Sequence, residues 1–298
     1  MEIVPDPTTS ASPSADAAGG SLPLTDGRFV RLGRRGCRAF IRPEFRAEGL
    51  ESALLAGEPE LQRRYWLEPV RSAPTSRVFR VKMPLGGQVR VVYYKEYLHR
   101  SAWDAVKHLA RATRAMRAVK ASHMLTNHAF RVPEVVAFGE RRTAFVPGRC
   151  FVMTLDVSEA VSLSDLIIEN HRRFDLSGWR RDRRELARTL GGIIGRMHRA
   201  GIVHGDLRSG NILARRAEDR WEVFFLDNER TRRWPWLPPH LRLKNLVQIG
   251  MLPPGVTATD RFRFWRAYLA ECPGLWCRRK RWARRIQART AKRMAKYD

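Results

Sequence analysis

Between Ile202 and Asp227 the sequence carries the feature that most narrows what the chain can fold into. Ile202-Val203 leads into His204-Gly205-Asp206-Leu207-Arg208; Asn211-Ile212-Leu213 follows, and the apolar run Val223-Phe224-Phe225-Leu226 ends at Asp227. Apolar, strand-forming residues on both sides put the two aspartates on a loop and at a strand end, outside any regular element. Phosphoryl transfer asks for such an arrangement. It needs little covalent chemistry from protein, only an oriented hydroxyl, neutralised phosphate charge and a metal held in place.

In that reading Asp206 orients, or takes the proton of, an acceptor hydroxyl. Arg208 places positive charge on the transferring group. Asn211 and Asp227 offer the oxygen ligands that Mg2+ prefers, and His204 braces the loop. Each residue alone has a plain structural explanation, a turn or a strand-end cap. In this order, downstream of a strand that ends in lysine, they predict a kinase-like fold. The turn after the second aspartate reads Asp227-Asn228-Glu229-Arg230, where Glu229 either adds a second carboxylate or caps the turn.

The lysine belongs to a hairpin: Val78 to Met83, a turn over Pro84-Leu85-Gly86-Gly87, then Val89 to Lys95. At period two Val89, Val91, Tyr93 and Lys95 share one face, so Lys95 can project toward a nucleotide's phosphates. Ahead of it Arg71 to Arg77 occupies the place of a phosphate-covering loop without glycines, leaving Ser72, Thr75 and Ser76 as possible phosphate donors. Residues 101 to 127 read as a helix with Trp103, Val106, Leu109, Ala110, Met116 and Val119 among its apolar positions. Kinases pair the strand lysine with a glutamate from such a helix, yet no acidic residue occurs between Asp104 and Glu134. Asp104, Glu96 or the nucleotide itself is left to hold Lys95.

A buried strand over Phe151 to Asp156, a linker, and a helix beginning at Ser162-Leu163-Ser164-Asp165 suit an interlobe hinge, with backbone near Leu155, Asp156 and Val157 open to an adenine edge. Leu186, Leu190, Ile193, Ile194 and Met197 recur at helical spacing, and Gly191, Gly192 and Gly195 allow a neighbour to approach. Upstream, residues 29–32 and 39–41 suggest short edge strands. Downstream, Trp234 to Pro239 is a rigid aromatic loop, and Phe262, Phe264, Trp265, Tyr268 and Leu269 mark a core helix.

Composition bounds the rest. The 298 residues, 44% of them hydrophobic, suffice for two lobes, and four cysteines without a CxxC pair read as reduced thiols. No apolar run reaches the roughly 18 residues that cross a bilayer, and no signal sequence is visible, so a cytoplasmic location is expected. The net charge of +26 calls for an anionic partner. The strongly basic stretch from Cys277 to Lys296, with Trp282, Ile286 and Met294 interspersed, is either a solvated helix face or a binding site for an anionic surface.

The segments Val91-Val92-Tyr93-Tyr94-Lys95, Val132-Pro133-Glu134, Val161 to Leu166, His204 to Leu207 with Asn211 to Leu213, and Phe225-Leu226-Asp227 together resemble the bacterial lipopolysaccharide kinase family, the Kdo and core-heptose kinases. The resemblance spans about residues 70 to 250. It implies an α+β, two-lobed protein-kinase-like fold with an N-terminal antiparallel sheet lobe and a mainly helical C-terminal lobe. The expected divisions are a disordered tail over 1–24, an N-terminal lobe over 25–156, a catalytic lobe over 157–276 and the basic segment 277–298. It also implies ATP and Mg2+ as cofactors, with Lys95 on the phosphates, Asp206 as the catalytic aspartate, and Asn211 and Asp227 as metal ligands. The acceptor would be a sugar hydroxyl of a lipopolysaccharide inner-core or lipid A precursor, at the inner face of the inner membrane. An atypical serine protein kinase, and a catalytically weak kinase-like module binding nucleic acid or anionic membrane, are the alternatives.

Overall fold

A computed structural model describes residues 28–34, 36–98, 112–143, 146–172 and 177–296. The tail expected over 1–24, and the part of the expected helix holding Trp103, Asp104, Val106, Leu109 and Ala110, lie outside the described residues.

The N-terminal half builds an antiparallel sheet of seven strands: β1 (Val30–Arg34), β2 (Cys37–Ile41), β3 (Leu67–Val70), β4 (Ser76–Leu85), β5 (Gln88–Tyr97), β6 (Val135–Thr143) and β7 (Val146–Leu155), in the order β1-β2-β6-β7-β5-β4-β3. Alternation sorts its two faces. Phe79, Val81, Met83, Leu85, Val92 and Tyr94 meet Leu50, Ala53, Leu54 and Leu61 from the short helices α1 (Leu50–Ala56) and α2 (Glu58–Arg64). Each such aliphatic side chain, fully buried, contributes about 1.5–3 kcal/mol. The opposite face carries Tyr97, Phe138 and Val152 under Met116 and Val119 of helix α3 (Arg114–Asn127), and Lys95 points to this side. The predicted hairpin is present, but its turn is only Gly86-Gly87, since Pro84 and Leu85 are paired within β4. Pro84 lies beyond the last β3 partner, Val81, so that end of β4 is an edge, where a strand tolerates proline.

The C-terminal half holds β8 (Val161–Ser162), α4 (Leu163–Arg172), α5 (Ser177–Arg199), β9 (Ile202–Val203), β10 (Ile212–Ala217), β11 (Arg220–Phe225), β12 (Arg232–Arg233), α6 (Pro239–Gly250), α7 (Ala258–Glu271) and α8 (Arg279–Met294). Leu186, Leu190, Ile194 and Met197 of α5 are buried with Leu243 and Leu246 of α6 and Tyr268 of α7. A Cβ on Gly191 would lie 2.2 Å from Phe264 O, and one on Gly195 3.1 Å from Tyr268 O, so these two glycines set how closely α5 and α7 pack. Gly192 faces no such neighbour. Phe262 departs from the expected core stripe, being 63% exposed on the outer side of α7. Trp282 is buried and Ile286 half-buried on the inner side of α8, so these apolar residues serve packing rather than an outer surface. No described helix is long and apolar enough to cross a membrane.

Candidate active site

The stretch between β9 and β10 carries Asp206 on a loop that three groups hold. Gln248 Nε2 donates to Asp206 Oδ1 (3.0 Å), Asn211 Nδ2 donates to Asp206 Oδ2 (3.3 Å) and to its carbonyl (2.9 Å), and Arg208 Nε lies 3.0 Å from Oδ1. Arg208 is therefore drawn onto the aspartate rather than standing clear of it. His204 is fully buried; its Nδ1 accepts the Asp206 N–H (3.2 Å), leaving Nε2–H to donate to Leu226 O (2.9 Å). Burial pushes its pKa down, partly offset by that bond to Leu226 and the nearby carboxylates, so the neutral imidazole those bonds need is favoured. One ring thus ties the loop of Asp206 to the residue before Asp227. Leu226 N–H also donates to Asn211 O (2.9 Å). Asp206, Asn211 and Asp227 are in this way brought to one place.

Gly205 has a steric reason. A Cβ there would lie 2.6 Å from Arg230 O, and a Cβ on Gly201 2.0 Å from Trp234 O, so the segment after Asp227 presses on the loop at both ends. The ladder of β9 with β12 fixes the same contact.

Behind the loop lies a polar chain that sequence patterning does not reveal. Arg242 donates to the Tyr268 hydroxyl (2.7 Å), which donates to His198 Nδ1 (2.8 Å); His198 Nε2–H donates to Asn245 Oδ1 (3.3 Å), which also accepts the His204 N–H (3.1 Å). The Asn245 amide then donates to Gln248 Oε1 (3.2 Å). His198 is driven down to about 3 by burial, reinforced by the charge of Arg242. The one sequence signal is a pair of amides, Asn245 and Gln248, three apart inside the apolar run of α6.

Lys95 finds its partner in Asp227 itself, Nζ to Oδ1 at 2.7 Å, and not in Glu96. Glu96 points to the other face of β5, where it is buried near Arg149 (3.8 Å), and Asp104 is outside the described residues. Burial raises the Asp227 carboxyl, but the charge and hydrogen bond of Lys95, with the charge of Arg114, outweigh it and leave the group below its usual range. Asp227 sits at φ 56°, a left-handed conformation rare outside glycine that turns the chain sharply off the end of β11.

The helix facing Lys95 offers an arginine where a glutamate was sought. Arg114 grips Glu229 with Nε and Nη2, both at 2.9 Å, and donates through Nη1 to Thr75 O (3.0 Å). Glu229 is therefore neither a second metal carboxylate nor a cap, but the anchor of the 228–230 turn on α3. Asn228 adds a bond to Ser122 of α3 (3.2 Å). Ser72 and Ser76 close their own turn, donating to Ser76 O (2.8 Å) and Ala73 O (3.4 Å). At the hinge Asp156 N–H donates to Val91 O (2.9 Å) and Val157 O accepts from Ala160 (3.0 Å).

The donors suit magnesium. Asn211 commits its NH2 to Asp206, which turns its carbonyl oxygen the other way, and Asp227 has one oxygen beyond the one Lys95 takes. Among the described residues no group of three or more His, Cys, Asp or Glu could hold a metal; a sparse set of oxygens such as Asn211 and Asp227 offer is the kind that Mg2+ takes together with water and phosphate.

A sheet lobe carrying the lysine, a helical lobe carrying the two aspartates, and the loop between β9 and β10 define a protein-kinase-like phosphotransferase. The Lipopolysaccharide kinase (Kdo/WaaP) family profile matches residues 62–268, and the chain belongs to that family. Among solved structures it is similar to WaaP in complex with acyl carrier protein, at 21% identity and a TM-score of 0.53, covering 80% of this chain and 97% of that one, which is a likeness of fold. Comparison with curated proteins gives no match.

Proposed function

We propose that this lipopolysaccharide kinase transfers the γ-phosphoryl group of ATP to a sugar hydroxyl of an inner-core or lipid A precursor. The observation that carries the reading is the threefold hold on Asp206 beside the Lys95–Asp227 pair. A carboxylate fixed by Gln248 and Asn211 is oriented before substrate arrives and stays so when Arg208 leaves it, which is how a protein lowers the barrier with little rearrangement during the reaction. In this scheme Asp206 accepts the hydroxyl proton, Lys95 neutralises phosphate oxygens, and Arg208 swings from Asp206 to the transferring group. Asn211 and Asp227 hold Mg2+, which supplies charge neutralisation at the phosphates. The Asp156 carbonyl and the Val157 N–H meet the adenine edge, and the turn of Ser72, Thr75 and Ser76 covers the phosphates through the N–H groups of Ser72 and Thr75, that of Ser76 being held by Ala73 O (2.9 Å).

The exposed bases Lys280, Arg281, Arg284 and Arg285 of α8 are proposed to hold the enzyme against acidic lipid at the cytoplasmic face of the inner membrane, each contributing about 1 kcal/mol near such a surface. Turnover with a lipid-linked Kdo or heptose acceptor is expected to fall by about 10³-fold in Asp206→Ala and to vanish in Asp227→Ala. Unchanged turnover in either variant sinks the assignment. Mg-ADP at ~100 times its Kd should stabilise the wild type by about 2.7 kcal/mol, and Asp227→Ala hardly at all.

A further inference from the structure

A second cationic site lies away from the loop of Asp206. Lys244 and Val247 of α6, with Arg289, Lys292 and Arg293 of α8 and Lys296 just past its end, line a cleft of about 530 Å³. Val247 is its one apolar wall. None of the five cations has an ion pair or a side-chain hydrogen bond among the described residues. Elsewhere in this lobe Arg183, Arg196, Arg199, Arg215, Arg216 and Arg263 each meet a carboxylate. Five like charges gathered in a concavity repel one another, and a cleft concentrates their field on whatever enters it.

The local fold fixes this arrangement. Trp282, Ile286 and Thr290 recur every fourth residue along the inner side of α8, and Gly250 lets Thr290 close on the end of α6, with 3.0 Å between its hydroxyl and a Cβ placed there. The partial negative charge at a helix C-terminus accounts for bases in the last turn of α8. It does not account for Lys244, which comes from the middle of α6 to face the same space.

We propose that this cleft binds a clustered phosphate group, a pyrophosphate or two phosphomonoesters held close together, carried by the acceptor. A single phosphate would leave most of the five charges unmatched. Lys244 precedes Gln248 by one helical turn, about 6 Å along α6. An acceptor phosphate seated here is therefore held on the same helix that orients Asp206. The cleft as an anion site stands on its own; only its assignment to the acceptor rests on the kinase reading above.

The test is calorimetric titration of inorganic pyrophosphate into the full-length protein with a non-hydrolysable ATP analogue at saturation, for wild type, Arg289→Gln/Arg293→Gln and Arg284→Gln/Arg285→Gln. One equivalent should bind to wild type, about tenfold or more weakly to the first variant, and unchanged to the second, whose bases lie on α8 outside the cleft. Equal affinity in wild type and the first variant, or loss in Lys95→Met instead, places the anion elsewhere and overturns the site. Equal losses in both α8 variants signify diffuse charge and also overturn it. In turnover, the first variant should raise KM for a phosphorylated acceptor about tenfold with kcat unchanged, and leave KM for the dephosphorylated acceptor as it was. Pyrophosphate binding lost without that change in KM overturns the acceptor assignment. Intact pyrophosphate binding by a wild type that transfers no phosphate supports the cleft and overturns the kinase reading alone.

Discussion

Asp206 touches three side chains, and only two of them come from its own loop. Gln248 reaches it from α6, is itself 2% exposed, and has both ends of its amide committed, to Asp206 on one side and to Leu207 N–H (3.4 Å) and Asn245 on the other. Gln248→Leu removes the donor and leaves the carboxylate free to rotate. We expect kcat to fall about 10²-fold with KM for ATP unchanged, measured by steady-state kinetics. A parallel rise in the KM for ATP points instead to general loosening of the lobe. The residues Asp206, Asn211 and Asp227 were legible in sequence because their spacing along one loop and one strand end is a local property. Gln248 and Asn245 were not, because an amide on a distant helix becomes a partner of the loop only through tertiary packing. The partner of Lys95 was hidden for the same reason: Asp227 was seen as a ligand, and nothing in the sequence brings it across to β5.

Among the elements, the hairpin of β4 and β5 and the apolar face of α5 follow from period two and period 3.6, and both are found where patterning put them. The inverted link between α3 and the turn after Asp227 does not follow from any pattern, since an arginine opening a basic helix looks like surface charge. Glu229 is buried at 4% side-chain exposure against Arg114 at 21%, so Arg114→Ala strands a carboxylate. A loss of about 3 kcal/mol is expected in urea unfolding, with the KM for ATP raised as the turn before β4 loses its tie at Thr75. Arg114→Ala/Glu229→Ala should recover part of that stability; a double variant as unstable as the sum of the singles denies the pair. The segment from Arg232 to Trp236 is exposed next to β9, and Trp236, at 70% exposure, offers a flat apolar face to a sugar ring. Trp236→Ala is expected to raise the acceptor KM about fivefold and leave the KM for ATP alone, since one aromatic contact contributes about 1 kcal/mol.

At the scale of the molecule, buried histidine sets the acid limit of stability. His198 keeps its proton off down to about 3 in the folded chain but takes it up near its ordinary value of 6.5 when unfolded. Stability from this group is therefore whole above pH 6.5 and is lost as pH falls toward 3, with His204 acting in the same direction. Unfolding free energy should drop by about 2 kcal/mol between pH 6.5 and 5, as each pH unit across that window withdraws about 1.4 kcal/mol. His198→Asn should flatten this slope, and an unchanged slope assigns it to other groups. The Lys95–Asp227 bond spans the two lobes, and it has a further effect on how the molecule cycles. In the proposed scheme the nucleotide phosphates would meet a lysine already engaged by Asp227, an intramolecular competitor at an effective concentration of about millimolar or above. Measured affinity for the nucleotide would then be the difference between two occupancies. As product leaves, the same two groups would recombine, so the chain itself would carry the competitor that helps to expel ADP.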